Sequence, residues 1–211
     1  MPGGGLRSRV PCHAECIFLL FATFEGALPI LRLLLLRHAK SDWSKDADDH
    51  DRPLSVRGRK AAPEIARHIR TKDYVPEVVL CSTAQRTRET LDLLLPAWKK
   101  KPALRYERAL YLADWPVLLA NLKKAPARAS PLLLVGHNPG IEQLAIALAL
   151  QPRSVAERAR LQRLTQKFPT AALAVLDFEI ASWRFLKPGL GTLVDYVRPK
   201  DLPGASGGDD A

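Results

Sequence analysis

LRLLLLRHAKSDW, residues 31–43, is the most informative stretch of this chain. Four consecutive leucines, Leu33 to Leu36, follow Arg32 and give way at once to Arg37-His38. A short apolar run bounded by polar residues suits a strand buried on both faces, as in a parallel sheet. Residues just past its end then lie at the carboxyl edge of the sheet, where ligand sites of open α/β sheets are found. Arginine brings a fixed planar cation to that edge. Histidine brings a nitrogen that can act as nucleophile, base or ligand near neutral pH.

The same design recurs downstream. Leu132 to Val135 form a second leucine-rich run, which ends in Gly136-His137-Asn138-Pro139-Gly140. Between the two, Glu77 to Cys81 reads as a strand, and the polar break Ser82 to Thr90 follows it. Ser82 or Thr83 is placed to cap a helix running through Leu95. Arg86 falls in the first turn of that helix, where a cation opposes the helix dipole, so its position points to an anionic ligand. Arg88, two positions on, faces another way and meets solvent.

Helices fill the gaps between strands. Ser55 caps one over residues 56–71, with Ala61, Ile65 and Ile69 on its buried face. Residues 41–55 carry Asp42, Asp46, Asp48, Asp49 and Asp51. They lack the central glycine and closing glutamate of a calcium loop, and read as a solvated loop over the sheet edge. Residues 104–112 suggest a short strand turning at Ala113-Asp114, and Leu118 and Leu122 mark a helix behind it. Pro139 is placed to start another helix. Residues 153–166 are charged and helical. Ala171–Phe178 and Gly191–Val197 read as an antiparallel pair at one sheet edge. The alternation gives an α/β fold with a mainly parallel sheet. Residues 1–30 read as a poorly ordered extension, 31–198 as the domain, and the tail from Pro199 as disordered.

Composition sets the boundaries. The 211 residues fit one domain, and 47% hydrophobic content excludes general disorder. Three cysteines, Cys12, Cys16 and Cys81, have no framework spacing, which argues against a disulfide-built secreted fold. The apolar stretch 16–24 is too short to span a bilayer. The net charge of +10 is scattered rather than stacked, so it suits an anionic substrate better than a nucleic acid. We expect a cytoplasmic protein with no membrane or nucleic-acid partner.

If the strand ends are neighbours, Arg37, His38, Arg86 and His137 converge on one pocket. Two guanidinium forks favour a dianion, for which phosphate is the natural candidate. They also hold a nearby imidazole neutral by like-charge repulsion, leaving a nitrogen able to attack phosphorus. The second histidine can stabilise the equatorial oxygens. A zinc site lacks a third ligand, and arginines do not crowd a cation, so neither metal nor cofactor is expected.

RHAKSDW, CSTAQRTRET and VGHNPG, in this order, resemble the motifs of the histidine phosphatase superfamily. The similarity covers residues 31–198 and is greatest to its SixA-like phosphohistidine phosphatase branch. It implies a phosphoglycerate mutase-like three-layer sandwich and a metal-independent reaction. It also implies that His38 is the phosphorylated nucleophile, with Arg37, Arg86 and His137 completing the pocket. Ser44 stands where many relatives place a phosphate-touching asparagine, and Ala39 replaces the usual glycine. Among the acids between the second and fourth strands (Glu89, Asp92, Glu107, Asp114), Asp114 is the best placed as proton donor. The expected substrate is a phosphohistidine protein or a small phosphorylated molecule, because imidazole leaves with less help from an acid than an alkoxide does. The alternative is a catalytically weak phosphate- or nucleotide-binding module of the same fold.

Overall fold

The computed structural model describes residues 27–44 and 46–203. Six strands form one mixed sheet: β1 (Ile30–Arg37), β2 (Val78–Ser82), β3 (Ala103–Glu107), β4 (Leu132–Gly136), β5 (Leu173–Glu179) and β6 (Thr192–Val197). Their order is β3-β2-β4-β1-β5-β6. The first four run parallel; β5 is antiparallel to both β1 and β6. The antiparallel pair expected at one edge is therefore present, and β5 also joins it directly to β1.

Alternation along the strands builds two cores. Leu33 and Leu35 of β1 face α3 (Trp115–Leu122), α4 (Gly140–Leu148) and α5 (Val155–Gln166), meeting Leu118, Leu122, Ile141, Leu144 and Leu164. Leu34 and Leu36 face α1 (Val56–Thr71) and α2 (Gln85–Leu94), meeting Ala62, Ile65, Ile69, Leu91 and Leu94. This is the three-layer sandwich. All four leucines are fully buried, each contributing about 1.5–3 kcal/mol of transfer free energy. That double burial is why the run reads as continuous leucine instead of alternating with polar residues. The outer strand β3 is exposed along its whole length and carries Arg105, as suits an edge kept from pairing with another chain.

Polar clamps hold β1 at both ends. Arg32 donates through Nε and Nη2 to Asp177 of β5, each at 2.7 Å, and its amide donates to Ser130 Oγ. Beyond the leucines, the Arg37 amide donates to the Ala172 carbonyl and the His38 amide to the Gly136 carbonyl. The Ala39 amide donates to Thr90 Oγ1.

Helix α1 spans the residues expected, with Ser55 accepting the Gly58 amide as its cap. The cap expected for α2 is corrected. Ala84 occupies the N-cap position without a side-chain bond, because the hydroxyls of Ser82 and Thr83 are taken by His137 and His50. The tail assignment also shifts: Pro199–Asp201 form a short 3-10 helix, with Asp201 held by Arg198 and Arg163. The apolar stretch 16–24, Cys12 and Cys16 lie outside the described residues. Among those described, no helix is long and apolar enough to cross a membrane.

Candidate active site

The parallel strands deliver their polar breaks to one end of the sheet. His38 follows β1, Arg86 sits in the first turn of α2 after β2, and His137 follows β4. Since β4 lies between β1 and β2, these three loops are neighbours although 99 residues separate the histidines. The rings of His38 and His137 lie 5.1 Å apart, tilted by 53°. His38, Arg86 and His137 are all buried, at 7%, 4% and 2% exposure.

His38 Nδ1 lies 2.8 Å from the Ala39 carbonyl oxygen. A carbonyl can only accept, so Nδ1 carries the proton and Nε2 keeps its lone pair. Burial, opposed in part by that hydrogen bond, and then the charges of Arg86 and Arg37, lower the His38 pKa to about 3. Burial, followed by His38 and Arg86, lowers that of His137 to about 2. Both rings are neutral at pH 7.

His137 Nε2 is 2.9 Å from Ser82 Oγ. That oxygen also accepts the Ala84 amide at 3.4 Å, and if its own hydrogen goes to His137 Nε2 both roles of the hydroxyl are used. The ring proton of His137 is then on Nδ1, a buried atom with no partner. The Nε of Arg37 is likewise buried and unpartnered, while its Nη1 donates to the Phe168 carbonyl at 2.9 Å. The unpartnered buried side-chain atoms among the described residues are Arg37 Nε, His137 Nδ1 and Asn138 Oδ1. All three belong to this one site; Arg37 Nε is a donor suited to an anion's oxygens, and His137 Nδ1 is another in the tautomer that accepts from Ser82.

Several contributors were not legible beforehand. Asp49, assigned to a solvated loop, accepts from Arg86 through both its backbone carbonyl and its carboxylate, and from Tyr111 Oη at 2.6 Å. Those bonds hold its pKa below the usual range, that of Tyr111 contributing most, so it is an acceptor here and not an acid. The rings of Tyr111 and His137 pack perpendicular to each other with their centroids 5.5 Å apart. Asn138 Nδ2 bridges Glu142 and the Phe168 carbonyl. Nothing local in the sequence announces the partners of Asp49, with Arg86 37 positions away and Tyr111 62 positions away; Ser82 alone was signposted, as a polar residue at a strand end.

Two nominated residues stand apart from the cluster. Ser44 is exposed, and its amide and hydroxyl donate to Asp42 Oδ1. Asp114 is exposed at the N-cap position of α3. Glu89 accepts from the Leu54 amide and Gln85, tying down the loop before α1. Arg88 is exposed, as expected.

Fold and site together define an α/β protein with two neutral histidines and two guanidinium groups gathered at the carboxyl end of its parallel strands. The family model described as Histidine phosphatase superfamily (branch 1) matches residues 33–111. An uncharacterized protein of Mycobacterium tuberculosis is 36% identical over 165 residues, covering 78% of this chain and all of the relative. A candidate phosphohistidine phosphatase SixA from Nakamurella multipartitia superposes with a TM-score of 0.71 at 30% identity, covering 82% of this chain and 99% of the other. Another from Agrobacterium tumefaciens gives 0.65 at 30% identity, covering 80% and 98%. The chain belongs to the histidine phosphatase superfamily, and within it to the SixA-like branch.

Proposed function

We propose that this phosphatase works without a metal, through a phosphoryl group carried on His38, and acts on phosphohistidine or another small phosphorylated group. The observation that carries the reading is the Nε2 of His38, left with its lone pair by the Nδ1 bond to Ala39, in the same cluster as the buried and unpartnered Arg37 Nε and His137 Nδ1.

In the first step the Nε2 lone pair attacks phosphorus and the bond to the leaving group breaks, taking its electron pair with it. Arg37 Nε and His137 Nδ1 donate to phosphoryl oxygens as charge spreads over them. Positive charge gathers on the His38 ring, where the Ala39 carbonyl accepts from Nδ1–H. In the second step water attacks phosphorus and gives up a proton to solvent, the P–Nε2 bond breaks with its electrons returning to Nε2, and phosphate leaves. Arg86 reaches a phosphoryl oxygen by exchanging its bonds to Asp49.

The leaving group needs a proton. Asp49 is held as the carboxylate and Asp114 is exposed, joining none of the cluster's hydrogen bonds. A site without a well-placed acid favours an imidazole leaving group over an alkoxide: the far ring nitrogen of phosphoimidazole takes a proton from solvent near pH 6.5 (about the imidazolium pKa), and the ring then departs as neutral imidazole. His38→Ala is expected to abolish hydrolysis of phosphoimidazole and of an activated aryl phosphate in metal-free buffer. Retained turnover would remove His38 as the nucleophile.

A further inference from the structure

The carboxylate of Asp49 gathers donors from three parts of the chain. Oδ1 accepts from Arg52 Nη1 at 2.8 Å, and Oδ2 accepts from Arg86 Nη2 at 3.0 Å and from Tyr111 Oη at 2.6 Å. The backbone carbonyl of the same residue accepts from Arg86 Nη1. The two arginines of the site therefore differ. Arg37 donates to a neutral carbonyl, whereas Arg86 faces a full negative charge. The Arg86 side chain is 5% exposed and that of Asp49 is 41% exposed, so the carboxylate is the solvent side of the pair.

The neighbours of Asp49 are fixed from several directions. Its loop is pinned where His50 Nε2 lies 3.0 Å from Thr83 Oγ1, where the Asp42 amide donates to the Pro53 carbonyl and where the Leu54 amide donates to Glu89. Arg52 lies over the ring of Trp43, 3.6 Å from its centroid. Tyr111 precedes Leu112, whose φ of +47° is left-handed, a conformation disfavoured for any residue with a Cβ. The turn is jammed against the start of α4, since a Cβ on Gly140 would come within 1.9 Å of the Ala113 carbonyl oxygen. Backbone held in this way by its surroundings is characteristic of functional sites.

We propose that Asp49 is an internal competitor for the phosphoryl site: it holds Arg86 while the pocket is empty, yields it to an incoming phosphoryl dianion and takes it back as phosphate leaves. The proposal rests on the phosphatase reading and adds a control of affinity to it. Asp49 acts through Arg86 and is a positioning residue. The exchange does not strand a charge, because Arg52 and Tyr111 continue to donate to the carboxylate when Arg86 turns away. A phosphoryl dianion, with more charge and more acceptor oxygens than one carboxylate, can win the guanidinium fork from it. The competition has a use. Affinity shared by substrate and product lowers KM without raising kcat, and a resident rival anion removes that surplus.

The test is the affinity for inorganic phosphate, measured by calorimetry on the full chain at neutral pH beside steady-state hydrolysis of an aryl phosphate. Asp49→Asn keeps the shape and an acceptor but removes the charge; Asp49→Ser removes the charge with a smaller side chain. Both are expected to bind phosphate at least tenfold tighter than the wild type, with KM falling in step and kcat not rising. On an Arg86→Gln background, Asp49→Asn is expected to gain less than twofold, because the competitor then has nothing to hold. Unchanged or weaker phosphate binding in both single variants would make Asp49 a scaffold for Arg86 and overturns the proposal. A gain that persists without Arg86 would mark a general effect of charge and also overturns it. So does a fall in kcat at unchanged KM and phosphate affinity, which would assign Asp49 to the chemical step. Failure of His38→Ala to abolish turnover would instead strike the catalytic reading and leave these affinities standing.

Discussion

Acidification from pH 7 to pH 5 should cost this protein stability through two particular side chains. In the unfolded chain an imidazole titrates near 6.5, whereas in the folded protein His38 and His137 are held at about 3 and about 2. The unfolded state thus gains protons below 6.5 that the folded state refuses. The stability is fully present above 6.5 and falls as pH drops through the window down to the folded values. Between pH 7 and pH 5 the loss is about 2 kcal/mol per histidine, since each pH unit below the unfolded pKa is worth about 1.4 kcal/mol. Against a typical total of about 5–15 kcal/mol, the pair accounts for a large share. Urea denaturation at both pH values, for the wild type, His38→Gln and His137→Gln, measures it. Each variant should lose about 2 kcal/mol less than the wild type on acidification. The remaining ionisable groups are common to all three proteins and cancel in the difference. Equal losses in all three would show that the two rings protonate freely in the folded protein. The uncharged nucleophile at the heart of the proposed reaction would then be gone.

Two other substitutions probe the supports of the site. Ser82→Ala removes the partner of His137 Nε2, one hydrogen bond of about 1–1.5 kcal/mol; kcat for an aryl phosphate should fall about tenfold, and an unchanged kcat would sever Ser82 from the chemistry. Gly58→Ala would bring a Cβ within 2.2 Å of the Lys40 carbonyl oxygen; thermal and urea unfolding should report a loss of about 1–3 kcal/mol or more, with activity falling as well because that backbone leads directly from His38, and a neutral substitution would show that the helix and loop can part.

The core and the main participants were legible because their signals are local. The leucine run before Arg37-His38 states its own burial, and its repetition before His137 states that a second strand ends in the same way. Ser55 and the spacing of Ala61, Ile65 and Ile69 located α1. The errors arise where a partner is remote. Ser82 and Thr83 look like helix caps to any local reading, yet imidazoles from β4's loop and the 41–55 loop take their hydroxyls. Asp49 looks like one acid among five, and only the closed fold brings it to Arg86 and Tyr111. Asp114 was singled out by chain position, and it stands exposed at the N-cap position of α3, outside the cluster's hydrogen bonds. Helix α5 was read from charge and helical residues alone; its single fully buried side chain, Leu164, leaves little periodicity to find.

The central strand has an addressing problem. Four identical side chains in succession would satisfy both hydrophobic layers equally well if the strand slid by one position, so greasiness alone cannot say which leucine belongs where. A slide of that size would carry the imidazole of residue 38 to the opposite face of the sheet. The information that forbids it is held at the extremities: the guanidinium–carboxylate fork joining residues 32 and 177, and the three amide anchors beyond residue 36. Weakening the distant fork, at Arg32, should therefore blur catalysis at His38, six positions along the chain, by loosening the frame in which the nucleophile is counted.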